Sequence, residues 1–414
     1  MHEILFWVII AILVLDFLFE TYLDYLNTTT MSETLPDEVK GIYDEEKYKK
    51  QQAYQRENHR FGLLSDGVGF AVTLAMFLFY GFAFVDNLAW GFTGNAIVAA
   101  LLFFGIIMLA SNIIDIPFSV YDTFKIEEKY GFNKTTPKTF VADIFKGWLV
   151  GALIGGGLLA LVIFIYQKTQ HMFWLYAWIL VALFSVFMTL FYSNIIVPLF
   201  NKQTPLEEGE LRNAIQRFSD RVGFKLDNIF VIDGSKRSTK ANAYFTGFGA
   251  KKRIVLYDTL INDMETEELV AVLAHEIGHY KKKHVIQGLL ISLVQTGVIL
   301  FIFSLLINSP ALSRALGVEE PNFHIGLVAF GILYSPVSFV LGIFMNLLSR
   351  KNEYQADAFA AEHYRPEALA SALKKLSVKN LSNLTPHPKY VFFNYSHPTL
   401  LQRLAHLKKI ESKN

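Results

Sequence analysis

Apolar residues gather in this chain into long runs rather than into the amphipathic stripes of a soluble domain. The runs fall at about residues 4–23, 67–84, 95–116, 147–166, 173–195, 285–307 and 325–348. Each comes close to the ~20 residues that a helix needs to cross a hydrocarbon core, so seven transmembrane helices are predicted. The first run lacks a small-residue cleavage site and carries Asp16 and Glu20 toward its inner end, which reads as a retained helix rather than a removed signal peptide. Asp16, Glu20, Asn112, Asp115, Asp143, Gln295 and Asn346 lie within or beside the runs. Facing lipid they would be costly, so they are expected to pair between helices or to face a wet interior.

Between the fifth and sixth runs the pattern changes. A polar segment from about 198 to 283 holds three short β-branched and aromatic stretches, at 228–233, 243–248 and 253–258, with Gly249, Lys251 and Lys252 at the turn between the last two. These predict a small sheet leading into a helix that starts near Met264. The expected fold is therefore an all-α multi-pass membrane protein carrying a small α+β domain. The predicted division is 1–197 for an N-terminal region with five transmembrane helices and 198–284 for the domain. Residues 285–348 then form helices six and seven, and 349–414 a further helix and tail.

Composition agrees with a bilayer as solvent: of 414 residues, 52% are hydrophobic and 15% aromatic, and the mean hydropathy is +0.32. A formal net charge of +1 with no strongly basic half argues against a nucleic-acid partner. The chain has no cysteine, which excludes disulfides, thiolate catalysis and zinc–thiolate sites. Charge also sets orientation. Lys40, Lys47, Lys49, Lys50, Arg56 and Arg60 lie between runs one and two, and Lys125, Lys129, Lys134, Lys138 and Lys146 between runs three and four, whereas the alternate loops are almost bare. By the positive-inside rule the amino terminus faces out, and the polar domain and C-terminal tail face the cytoplasm.

The chemistry is concentrated in His275-Glu276-Ile277-Gly278-His279. Two histidines at i and i+4 share one face of a helix, spaced to grip a single Zn²⁺, and Glu276 points at the open position where a water would sit. The acidic first turn at Glu265, Glu267 and Glu268 supports the helix. A catalytic zinc needs a third protein ligand. After the seventh run, Glu353 and Asp357 share a helix face: Glu353 can reach a metal, and Asp357 can accept the spare N–H of a ligating histidine. By itself that pair also fits a solvated face. His397, in a Pro-bounded turn, is a candidate donor to an oxyanion, though an ordinary loop histidine would look the same. Asn242, Ala243 and Tyr244 are candidate main-chain contacts for an extended peptide at the sheet edge, or simply scaffold. His2, His59, His171, His284, His324, His363, His387 and His406 lack comparable spacing and read as structural or solvent-exposed.

Together these residues resemble a family. The His275–His279 motif, Ser349-Arg350 with Glu353-Tyr354-Gln355-Ala356-Asp357, Asn242-Ala243-Tyr244-Phe245 and Ser396-His397-Pro398 are similar to the integral-membrane CAAX prenyl proteases, zinc metalloendopeptidases of the gluzincin kind. Further likeness lies in Tyr121–Phe124, Glu127-Glu128, Gly131–Thr136 and Pro198–Lys202. The resemblance implies seven helices around an interior chamber, with the zinc domain on the cytoplasmic side. It implies His275, His279 and Glu353 as ligands of one Zn²⁺, Glu276 as base, Asp357 as partner of a ligating histidine and His397 as transition-state donor. The implied activity removes the last three residues of a C-terminally prenylated peptide or protein. Two departures from the eukaryotic members stand out: Lys240, where they read Ser-His-Ser-Asn, and a short loop between helices six and seven, where they carry a long insertion. They suit a bacterial member, whose home would be the cytoplasmic membrane; a eukaryotic one would sit in the endoplasmic reticulum membrane. Two alternatives remain at this level, a general quality-control metalloprotease of membrane proteins and a non-enzymatic seven-helix transporter or receptor.

Overall fold

In the computed structural model, which describes residues 1–32, 34–37, 40–225, 229–247 and 252–412, six of the seven apolar runs fall within single helices, while the second, 67–84, is broken after Leu78 by a turn at Phe79 and Tyr80, the latter with φ of 56°. The membrane region comprises α1 (His2–Thr29), α2 (Glu45–Leu78), the short α3 (Gly81–Phe92), α4 (Ala96–Tyr121), α5 (137–169) and α6 (Phe173–Ile195). Local sequence sets the starts: the Asn95 side chain accepts from the N–H groups of Ile97 and Val98, and Thr136 caps α5 with Pro137 in its first turn. Among the described residues six continuous helical stretches are long and apolar enough to span, and one of them, Pro137–Phe200, has 64 residues. That stretch doubles back at Gln170, where φ is 42°. Its two ends meet again, since Lys146 Nζ donates to the Leu199 carbonyl at 2.8 Å. It therefore supplies two spans, and the total is seven.

The domain follows. It holds β1 (Gln203–Pro205), α7 (Glu210–Arg221), β2 (Ile229–Ile232), β3 (Ala243–Thr246), β4 (Arg253–Tyr257) and α8 (Thr266–Lys281). The strand order is β1-β2-β4-β3, with β2 and β4 parallel and the outer pairs antiparallel. The predicted strands are present, although Asn228, Phe248, Gly249 and Lys251 lie outside the described residues. β1 was not predicted: three residues containing a proline give no alternation to read. Then come α9 (His284–Leu306), α10 (Pro310–Ala315), α11 (Phe323–His363), α12 (Pro366–Lys379), α13 (Pro388–Asn394) and α14 (Leu400–Glu411). α11 is one helix of 41 residues, so the seventh span and the Glu353/Asp357 helix are continuous.

Two kinds of packing result. The domain has a dense core in which α8 contributes Leu269, Val270, Ala271, Leu273, Ala274 and Ile277, all buried against the sheet, α7, α11 and α12. At the opposite end of the membrane region, α3 and α10 close over Ile9, Phe103 and Ile325. There Asp86 accepts from His324 Nε2 at 2.6 Å and from Asn322, a buried polar knot tying α3 to α11. Between these ends the spans are thinly packed. In the most apolar 18 residues of each stretch only 6% to 17% are buried. A solid bundle buries at least a 100° stripe, about a quarter of each helix. The spans thus stand around an interior chamber, and polar groups such as Asn112, which accepts from Trp148 Nε1 at 3.1 Å, sit among them.

Candidate metal-dependent active site

Helix α8 runs through the domain core, which fixes its orientation. Its start is tied down by Glu268, whose side chain accepts from the Glu265 backbone N–H at 2.9 Å, from Ser371 Oγ at 2.6 Å and from Lys375 Nζ at 2.7 Å. One turn before its end, Gly278 lies against α11. A Cβ built there would come 3.0 Å from the Ala356 Cα and 3.1 Å from its carbonyl oxygen. Only a residue without a side chain permits so close a crossing, and the crossing brings His275 and His279 to Glu353.

The three side chains converge. His275 Nε2 and His279 Nε2 are 3.1 Å apart, Glu353 Oε2 is 3.5 Å from His275 Nε2, and Glu353 Oε1 is 3.2 Å from His279 Nε2. Tetrahedral zinc with ligands at ~2.0–2.1 Å requires ligand atoms about 3.3 Å apart, so this spacing matches the edges of a zinc tetrahedron. A second observation points the same way: Glu353 Oε2 is buried and has no hydrogen-bond partner. Its nearest cation is the Arg403 guanidinium at 3.6 Å, too long for a hydrogen bond, so the oxygen keeps a lone pair for a metal ion. The residues fit a metal, and two His and one Glu form a donor set that suits Zn²⁺.

The outer contacts fix both imidazoles. Asp357, fully buried, lies with Oδ1 2.9 Å from His275 Nδ1, which leaves Nε2 free to bind. Arg403 on α14 then holds Asp357 with two bonds, Nε to Oδ2 at 2.9 Å and a terminal nitrogen to Oδ1 at 2.6 Å. His279 Nδ1 is 3.0 Å from His284 Nδ1, and His284 Nε2 is 3.0 Å from Gln355 Oε1. Of the two readings that the sequence left for His284, structural or solvent-exposed, its burial supports the first. His284 belongs to a chain His279–His284–Gln355 that orients the second imidazole. Arg403 carried no signal at all, because its partners are 46 and 128 residues away. Asn346 and Arg350 on α11 hold the chain end that bears His397: Asn346 Nδ2 donates to the Phe393 carbonyl at 2.7 Å, and Arg350 to the carbonyls of Val391 and Tyr395.

Glu276 is partly buried and makes no hydrogen bond or ion pair to any described residue. Burial pushes its carboxyl above the ordinary range, against the pull of His275 and His279. A carboxylate of raised pKa is suited to receive a proton and pass it on. Burial and Arg403 press the His275 imidazole down, but Asp357 and Glu353 outweigh them and lift it to about 9. His397 reaches in from the open side, its Nε2 3.4 Å from Glu353 Oε1, with 63% of its side chain exposed and Ser396 Oγ 2.9 Å from Nδ1. β3 is an edge strand beside α8, where the Phe245 and Tyr280 rings touch at 5.4 Å. Ala243 lies in that strand. Asn242 just before it gives its carbonyl to Tyr257 N, and the Tyr244 hydroxyl lies 3.2 Å from Ser193 Oγ at the end of α6.

Known proteins are similar to this chain in sequence and fold. Residues 24–202 match the family model of the CAAX prenyl protease N-terminal region with five membrane helices, and residues 205–411 match peptidase family M48. CAAX prenyl protease 1 of Saccharomyces cerevisiae is 35% identical over 96% of this chain and 94% of its own length. The CAAX prenyl protease 1 homologue of Oryza sativa subsp. japonica is 38% identical over 98% and 97%. The crystal structure of S. mikatae Ste24p superposes with a TM-score of 0.93 at 36% identity, covering 97% of this chain and 99% of that one.

Proposed function

The chain belongs to peptidase family M48, in the branch that carries the five-helix N-terminal region of the CAAX prenyl proteases, and on that footing we propose that it is a zinc-dependent endopeptidase that removes the C-terminal tripeptide of prenylated CAAX proteins or peptides. The observation that carries the zinc reading is the convergence of two imidazole nitrogens and the Glu353 carboxylate at tetrahedral spacing, with Glu353 Oε2 buried and without a hydrogen bond. His275, His279 and Glu353 would hold the ion. When bound, it would supply Lewis acidity, polarising the scissile carbonyl and acidifying an attacking water.

The remaining steps fall to side chains. Glu276 takes the proton of the attacking water and then delivers it to the leaving amine, a cycle helped by its raised pKa. His397 donates to the oxyanion as the carbonyl becomes tetrahedral, and its exposure leaves it room to move with substrate. Asp357 keeps the proton of His275 on Nδ1, and Arg403 keeps Asp357 ionised and in place. The open edge of β3, with Asn242, Ala243 and Tyr244, would receive the peptide as an added strand. The basic loops lie on the domain side of the bilayer, so catalysis faces the cytoplasm, at the endoplasmic reticulum membrane in a eukaryotic host.

The test is hydrolysis of a short farnesylated CAAX peptide and its unmodified counterpart by the purified protein in detergent, with a chelator control. Chelator-sensitive cleavage favouring the farnesylated peptide is expected. Equal cleavage of both would make the enzyme a general membrane peptidase instead.

A further inference from the structure

We propose that the cleft between α2 and α4, on the domain side of the bilayer, is a binding site for an anionic phospholipid. A cavity of about 890 Å³ lies there, and none of its lining residues belongs to the metal site. One wall is a single face of α2: Ala53, Arg56, Glu57, Arg60, Phe61 and Leu64 follow one another at steps of three and one, the spacing of a helical stripe. The stripe changes character along its length, charged at the end nearer the domain and apolar at the end nearer the membrane. The facing wall repeats the gradient, with Lys129 above and Tyr121, Phe118 and Pro117 below.

The depth suits a lipid. Leu64 is three residues before the apolar run that starts at 67, and Pro117 and Phe118 directly follow the run that ends at 116. The floor of the cleft therefore coincides with the edge of the hydrocarbon core. Counted from the start of the run at 67, Arg60 is seven residues above and Arg56 eleven, about 10 Å and about 16 Å along the helix, so the long Arg60 side chain reaches down to a headgroup layer roughly 5–7 Å thick. Charge then selects the sign. The walls carry three cations, Arg56, Arg60 and Lys129, against one carboxylate, Glu57. Glu57 is engaged at its own end by Lys129 Nζ at 2.6 Å and Tyr130 Oη at 2.8 Å. The nearby Glu127 is taken by Tyr54 and by Lys240 Nζ at 2.8 Å. Below, Phe61 stacks on Tyr121 with centroids 5.1 Å apart, giving acyl chains an aromatic bed. A phosphodiester at Arg60, with its chains along Phe61, Leu64 and Phe118, fits this gradient of charge and apolar surface.

The experiment is native mass spectrometry of the full chain in detergent, titrated with equal amounts of phosphatidylserine and phosphatidylcholine, alongside thermal unfolding with each lipid and with inorganic phosphate alone. Preferential retention of phosphatidylserine is expected, falling about tenfold or more in Arg60→Glu and kept in Arg60→Lys. The Arg60 side chain is exposed, so neither variant removes a buried contact. Wild type should also melt higher with phosphatidylserine than with phosphatidylcholine, a readout that needs no variant. Equal retention of the two lipids, indifference of retention to Arg60→Glu, or stabilisation by inorganic phosphate that lipid does not exceed would each overturn the proposal.

Discussion

At the scale of single residues, the groups around the metal site are held by charges buried far from water. Asp357 is fully buried and its compensating cation is Arg403, itself largely enclosed. Removing one member of such a pair leaves the other charge unpaired, a cost of roughly 3–5 kcal/mol. Arg403→Ala is therefore expected to lower thermal stability sharply and to weaken metal binding about 10–100-fold through the freed Asp357–His275 contact. Isothermal titration with Zn²⁺ checks the second effect, and unchanged affinity would exclude a positioning role. The His275 imidazole gives a pH signature. With its pKa lifted to about 9, the metal-stripped site carries a proton at neutral pH that an incoming ion must expel. Apparent zinc affinity should rise with pH through neutrality and level off near pH 9, with about one proton released per ion at pH 7. A flat pH profile would contradict it. His275 and His279 were legible because their spacing is local; Arg403 and His284 were not, since a contact across 128 residues, or one that joins the end of one helix to the start of the next, leaves no periodic trace.

Between elements, the crossing of α8 and α11 sets the distance between the two histidines and Glu353. Gly278 is the contact point. Its replacement by alanine would press a methyl group to about 3 Å from the α11 backbone, and valine would force the helices apart. Overpacking of this kind costs roughly 1–3 kcal/mol. Gly278→Val is expected to lose metal while the protein remains in the membrane, and Gly278→Ala to fall between it and wild type; inductively coupled plasma analysis of purified protein reads both. Full metal occupancy in Gly278→Val would show that the crossing is not what spaces the ligands. The sheet shows where sequence patterning stops. Its β-branched strands could be located, but the insertion of β4 between β2 and β3, with a parallel partner on one side and an antiparallel one on the other, depends on long-range packing that alternation does not encode.

Over the whole molecule, the membrane spans were the most legible part, because a hydrocarbon core admits few alternatives to a long apolar helix. The hairpin at Gln170 and the sparse packing between spans were not legible, since apolar residues look alike whether they face lipid or an interior. Thin packing between two well-packed ends makes a vessel with a reactive group at one end. The buried carboxylate of Glu353, the free carboxyl of Glu276 and the exposed His397 all lie at that end, on the side of the basic loops. The division of labour among them can be tested in one comparison, zinc content and farnesylated-peptide cleavage of Glu276→Gln beside wild type. Glu276 is not among the ligands, so the variant should bind one zinc per chain as wild type does, with cleavage reduced by at least about 10²–10⁴-fold, the usual contribution of a general base. Cleavage near the wild-type rate with zinc retained would contradict the account at its centre.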